Sequence, residues 1–186
     1  KKSLDAAPTP TAAEPKRLGI IVSHLQNVPS SAGTYKDGAS WRNWSSEAGS
    51  CHPARHHYPA TTDDVQQIVK KAARLGEKVR VAGTGMSPNG STFTGGHLIH
   101  TDKLRRVVGV DAANKTVTCQ PGLPLLELSK ELTAVQLMLP AMPSTAGMTI
   151  GGSVATASHG SGLNNKSLSG YVVGVTVVDG RGELVV

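Results

Sequence analysis

The chain has 186 residues, 21 of them glycine against two Trp, three Tyr and one Phe, and a formal net charge of +6. That length suits one domain of ordinary size with an aliphatic core, and no apolar run approaches the ~18 residues of a membrane span. The basic residues are scattered rather than interleaved with aromatics, which argues against a nucleic-acid partner and leaves solubility or an acidic partner as the use of the charge.

Residues 1–17, rich in Ala, Pro and Thr, bury little surface and read as an extended tail. Leu18-Gly19-Ile20-Ile21-Val22 is an apolar patch, a strand or an arm for a partner, so residues 1–40 are set apart from a domain over 41–186. The chain starts without Met and stops at Glu183-Leu184-Val185-Val186 inside an expected strand, so it reads as one piece of a larger protein. His52, His56 and His57 cluster, but no Cys or carboxylate completes a ligand set at a metal spacing, and no metal is expected. Cys51 and Cys119 form no CxxC pair and are two thiols or one disulfide.

A helix is expected from Thr61-Thr62-Asp63-Asp64, with Thr62 as N-cap, Val65, Ile68, Val69 and Ala72 on one face, and Gly76 as the stop. Strands are expected at 79–82, 97–100, 106–110 and 115–119, the last two joined by the hairpin signal Asp111-Ala112-Ala113-Asn114. A second helix spans about 124–134 through Leu125, Leu128 and Leu132. Val172 to Val178 and the segment after Asp179-Gly180-Arg181-Gly182 read as the final strands. The whole is α+β, without an internal repeat.

Two glycine-rich segments stand out. Gly83-Thr84-Gly85-Met86-Ser87-Pro88-Asn89-Gly90 follows an apolar strand, and such a loop exposes successive N–H groups that can cradle a pyrophosphate. The second runs from Gly147 through Gly151-Gly152 to His159-Gly160-Ser161-Gly162. A plain turn is the alternative reading of Gly151-Gly152. A core histidine bonded to a carbonyl is the alternative for His159. An NAD-binding Rossmann unit is disfavoured, because no acidic residue follows at the required place.

The order of elements with these segments resembles the FAD-binding domain of the vanillyl-alcohol oxidase family, from about Trp41 to Val186. Asn43-Trp44-Ser45, the loop from Gly83 to Gly90, Thr149-Ile150-Gly151-Gly152 and His159-Gly160-Ser161-Gly162 resemble most the motifs of the aldonolactone oxidoreductases, which include galactonolactone dehydrogenase and gulonolactone oxidase. The resemblance implies a PCMH-type fold of two small α+β subdomains, incomplete at the C-terminus, and FAD. The contacts it implies are Val81, Gly83, Thr84, Gly85, Met86, Ser87, Pro88, Ser144, Thr149, Gly151, Gly152, Thr156, Ser158, His159 and Gly160.

Many members carry a flavin-bonding histidine where this chain has Met86, so FAD is expected to be non-covalent, as in the plant dehydrogenases. Gln120-Pro121-Gly122 matches a position beside the flavin that admits or excludes oxygen, and Pro121 leans against a simple dehydrogenase. The resemblance places the substrate-binding acids and bases beyond these residues. No catalytic residue is assigned, and a companion chain or further C-terminal part with the substrate domain is expected. The resemblance also suggests a mitochondrial location with respiratory-chain proteins as neighbours. The alternative function is a structural subunit that keeps the flavin fold within an assembly such as respiratory complex I.

Overall fold

The computed structural model describes residues 34–186, so the expected tail and the Leu18–Val22 patch lie outside the described residues. The first layer is a parallel sheet in the order β1-β3-β2, from β1 (Arg55–His57), β2 (Val79–Ala82) and β3 (His97–His100). Central β3 pairs His97 with Arg55 on one side and with Val79 on the other, and all four of its residues are buried. Parallel strands need a crossover, and α1 (Thr62–Leu75) supplies the one from β1 to β2, the two outer strands.

The start of α1 is fixed one residue earlier than expected. Thr61, not Thr62, is the N-cap: its extended backbone lets its Oγ1 accept from Asp64 N–H, while Asp64 Oδ2 accepts from Thr61 N–H. This reciprocal pair needs the acid three residues on, a spacing that Thr61 has. Gly76 ends the helix in the left-handed region at φ +65°, and Glu77 N–H returns to Ala72 O.

The second layer is the antiparallel hairpin of β4 (Val107–Asp111) and β5 (Thr116–Cys119), covered by α2 (Leu125–Ala134). Asp111 Oδ1 accepts from the N–H groups of Ala113 and Asn114, which closes the turn. Leu125, Leu128 and Leu132 of α2 are fully buried with Leu123 and Leu168, and Val107, Val110, Val117 and Cys119 pack against them. A separate cluster of Trp41, Ala82 and Leu98 lies on the parallel sheet. Two separate cores, one under α2 and one on the parallel sheet, agree with the two small α+β units that the resemblance implies.

Three local expectations differ. A short helix, α3 (Ile150–Ala155), occupies the Gly151-Gly152 segment. The Val172–Val178 run is a strand only at β6 (Val177–Val178), which pairs with β7 (Leu184–Val185); Leu168–Tyr171 before it is a 3-10 turn. Three-residue β1 had no sequence signal beyond its histidines. Residues 35–40 already lie against the sheet: Tyr35 N–H donates to Tyr58 Oη, and Asp37 Oδ1 accepts from His56 N–H. Among the described residues no helix is long and apolar enough to cross a membrane.

Candidate functional site

Strand β2 delivers the chain into the first glycine loop, with Val81 more than half exposed at its end. Gly85 has φ +72°, a backbone that a side chain resists. A Cβ there would meet only ordinary contacts with Asn43 and Trp41, so conformation rather than space selects glycine. Asn43-Trp44-Ser45 braces the loop from behind. Trp44 N–H donates to Gly85 O, Trp44 Nε1 donates to Met86 O at 2.8 Å, and Asn43 Nδ2 donates to Asn89 O at 2.7 Å. The loop's carbonyls are thus tied back, while the N–H groups of Gly83 to Ser87 donate to no other described residue. A run of unengaged donors through a left-handed residue is an anion cradle.

The second segment comes up against this loop. A Cβ on Gly83 would lie 2.4 Å from Thr149 Oγ1, so the two segments touch only because residue 83 is glycine. Thr84 Oγ1 donates to Gly147 O at 2.8 Å. Thr149 caps α3 by accepting from Gly152 N–H. Gly151 donates its N–H to Pro121 O at 2.9 Å, and a Cβ there would sit 2.7 Å from Pro121 Cβ. Gly151 therefore admits the Gln120-Pro121-Gly122 segment, and the N–H groups of Gly151 and Gly152 are already engaged within the protein. Gly122 is tighter still: a Cβ would fall 2.0 Å from Thr101 O. Neither this role of Pro121 nor the brace from Asn43 and Trp44 was part of the sequence-based chemistry. The motif residues themselves were its only signal.

Further along, Thr156 Oγ1 donates to Gly152 O and lies 3.1 Å from Ser158 Oγ. His159 is exposed, with Nδ1–H donating to Gly160 O, so it is not a core histidine. Gly160 lets Met142 O approach. Ser144 is exposed in the bend between α2 and α3, and Pro88 is exposed at the end of the first loop. Ser153 Oγ is fully buried with no hydrogen-bond partner among the described residues. The site thus collects Val81 through Pro88, Thr149, Gly151 and Gly152 at the seam between the two cores, with Thr156 through Gly160 after α3. Unengaged N–H donors and small residues along this seam fit a dinucleotide.

The clustered histidines His56 and His57 are paired across strands. His56 pairs with His100 and His57 with His97, and no group of three or more His, Cys, Asp or Glu among the described residues is placed to hold a metal ion. Cys51 and Cys119 are both free thiols; burial pushes Cys119 up to about 11. A shallow groove lined by Gln67, Lys70, Arg74, Arg181 and Glu183 lies along α1 and shares no residue with the glycine segments.

A family profile described as FAD binding domain matches residues 53–186. The chain is 30% identical to mouse L-gulonolactone oxidase over 147 residues, covering 79% of this chain and 33% of that protein. It is 32% identical to L-gulono-1,4-lactone dehydrogenase of Mycobacterium tuberculosis, covering 77% of this chain and 33% of the other. With D-arabinono-1,4-lactone oxidase of Kluyveromyces lactis it shares 31% identity, over 83% and 30% of the two chains. The chain therefore spans about a third of the length of these relatives. Among solved structures, a chitooligosaccharide oxidase superposes with a TM-score of 0.69 at 23% identity, over 81% of this chain and 32% of the other, a likeness of fold. The chain belongs to the FAD-binding domain family, and over that domain it is similar to the aldonolactone oxidoreductases.

Proposed function

We propose that this chain is the flavin-holding part of a sugar-lactone oxidoreductase resembling L-galactono-1,4-lactone dehydrogenase, and that it holds FAD without a covalent bond. The observation that carries the reading is the seam itself. The N–H groups of Gly83 to Ser87 donate to no other described residue, the carbonyls of Gly85 and Met86 are tied to Trp44, and Thr149 closes the other side. A pyrophosphate is the anion that such a cradle takes. Ser87, Thr156, Ser158 and His159 supply further polar groups for the dinucleotide. The isoalloxazine supplies the acceptor for a hydride from an aldonolactone, and this chain's residues bind and orient it. Met86 offers a thioether where a covalent link needs a nitrogen nucleophile. The acids and bases that bind lactone are assigned to a companion chain or to further residues of the same protein, because the matched region covers only 33% of these relatives.

On the resemblance to the plant dehydrogenases we also infer a mitochondrial location near respiratory-chain proteins, which organelle fractionation tests. The second reading, a structural subunit of an assembly such as complex I, makes a different prediction for the purified protein: no flavin and no turnover. Acid precipitation of the full-length protein should leave all the yellow colour in the supernatant, and lactone should drive dye reduction before precipitation. Colour that stays with the pellet refutes non-covalent binding. A colourless protein that takes up no FAD refutes the leading reading.

A further inference from the structure

Central strand β3 carries a buried histidine at each end, and each is bonded to a histidine of β1. His56 Nε2 lies 3.2 Å from Ala39 O and must donate to it, so His56 Nδ1 accepts from His100 Nε2 at 2.9 Å. His97 Nε2 donates to the Glu77 carboxylate, so in neutral His97 Nδ1 accepts from His57 Nε2, also at 2.9 Å. Each pair can take one proton on the donor's other ring nitrogen, His100 Nδ1 or His57 Nδ1, with the bond between the rings intact. A second proton sets N–H against N–H and two charges at hydrogen-bond distance, in a buried setting for His56–His100 and a half-buried one for His57–His97.

Among the described residues no carboxylate acts on His100 to offset that repulsion, while Glu77 and Asp37 offset part of it in the His57–His97 pair. Tyr58 and Tyr35 stack on His100 at 4.7 and 5.6 Å, and Trp41 meets it edge-on at 6.4 Å. Asp102 lies close enough to act on Tyr58, and its own carboxyl is pushed upward by burial. Around His57, the Asp37 carboxylate favours a proton, while Lys71 and Arg55 oppose one. Glu77 is held low by its bond from His97. Burial first, then His56 and His57, depress His100 to about 4; burial and then His97 depress His57.

We propose that the two histidine pairs are an acid-operated latch on the sheet that presents the glycine loop: neutral pairs clamp β1 to β3, and double protonation of a pair releases them. The loop is linked to the latch directly, because Ala82 O, one residue before Gly83, accepts from Thr101 N–H beside His100. In the unfolded chain His100 takes a proton near 6.5, whereas folded it refuses one until about 4, and His57 is lowered in the same direction. The latch's contribution is therefore complete above 6.5 and is lost as pH falls from there toward 4.

The test is hydrogen exchange on the full-length protein, stripped of flavin, from about pH 7.5 to about pH 4.5 and corrected for intrinsic rates. Protection of β1 and β3 amides should fall at least tenfold more than that of β4, β5 and α2. Equal loss in both regions, or none, overturns the latch. A parallel thermal series with His100→Gln and His57→Gln should show a midpoint less dependent on pH than the parent's; an unchanged slope in folded variants also overturns it. If a variant does not fold, exchange on the parent alone decides. Flavin release is read separately: FAD retained while β1 and β3 amides open contradicts the proposed flavin site and leaves the latch standing.

Discussion

The leucine cluster under α2 and the sheet around β3 flank one seam, yet they are held by different physics. On the α2 side, Leu125, Leu128 and Leu132 are fully buried among aliphatic neighbours, and stability there depends on filled volume. On the β3 side the fully buried residues include His97 and His100 beside Leu98 and Ile99, and stability depends on hydrogen bonds between strands. Apolar burial is indifferent to pH, whereas paired imidazoles are not. The comparison teaches that one half of the domain is fixed by packing and the other half by packing plus protonation state.

The largest expected effect breaks the packed half. Leu128→Ala should cost about 2–5 kcal/mol in urea unfolding, by lost transfer and a cavity, with the same cost at pH 7.5 and about pH 5.5. A cost that varies with pH would erase the contrast between the halves. Next comes the seam. Gly83→Ala drives a Cβ into Thr149 Oγ1 and should cost about 1–3 kcal/mol, and Thr149→Ala should cost about 1 kcal/mol through the lost cap of α3. Together they should cost less than their sum by about 1 kcal/mol, since the second change removes the atom struck by the first. Strict additivity in a double-mutant cycle would separate the two segments. Smallest is the frame outside both cores: Thr61→Ala removes half of the capping box of α1 and should cost about 1 kcal/mol. Lys70→Ala, which breaks the exposed pair with Glu183, should cost well under about 1 kcal/mol.

Much of this frame was legible in the sequence because its signals are local. The cap, the apolar face and Gly76 announce α1 within sixteen residues, with an error of one at the cap. The leucine spacing announces α2, and the Asp111 to Asn114 turn announces the hairpin. Helix α3 was not legible, since a Gly-Gly pair is a poor helix former. It is held by Thr149 and by bonds from Gly151 to Pro121 and from Ile150 to Leu123, partners nearly thirty residues away. Strand β1 is too short for a pattern, and nothing local points from its histidines to their cross-strand partners, 44 and 40 residues on. The Val172–Val178 run shows the reverse error: β-branched residues favour strands, but only Val177 and Val178 meet a partner strand among the described residues. At the site, the glycine motifs were visible, while their reasons were mixed. Gly85 serves conformation, Gly83 the approach of Thr149, and Gly151 the approach of Pro121.

The central claim is that the unengaged N–H groups from Gly83 to Ser87 receive the cofactor's pyrophosphate. Titration of the flavin-free full-length protein with FAD, followed by flavin fluorescence, tests it most directly when run beside Gly85→Val. That variant disturbs the left-handed turn at φ +72° while its Cβ meets no close neighbour. The account predicts saturable binding by the parent and an affinity weakened at least tenfold in a variant whose circular dichroism is unchanged. Equal affinity in the folded variant would contradict it.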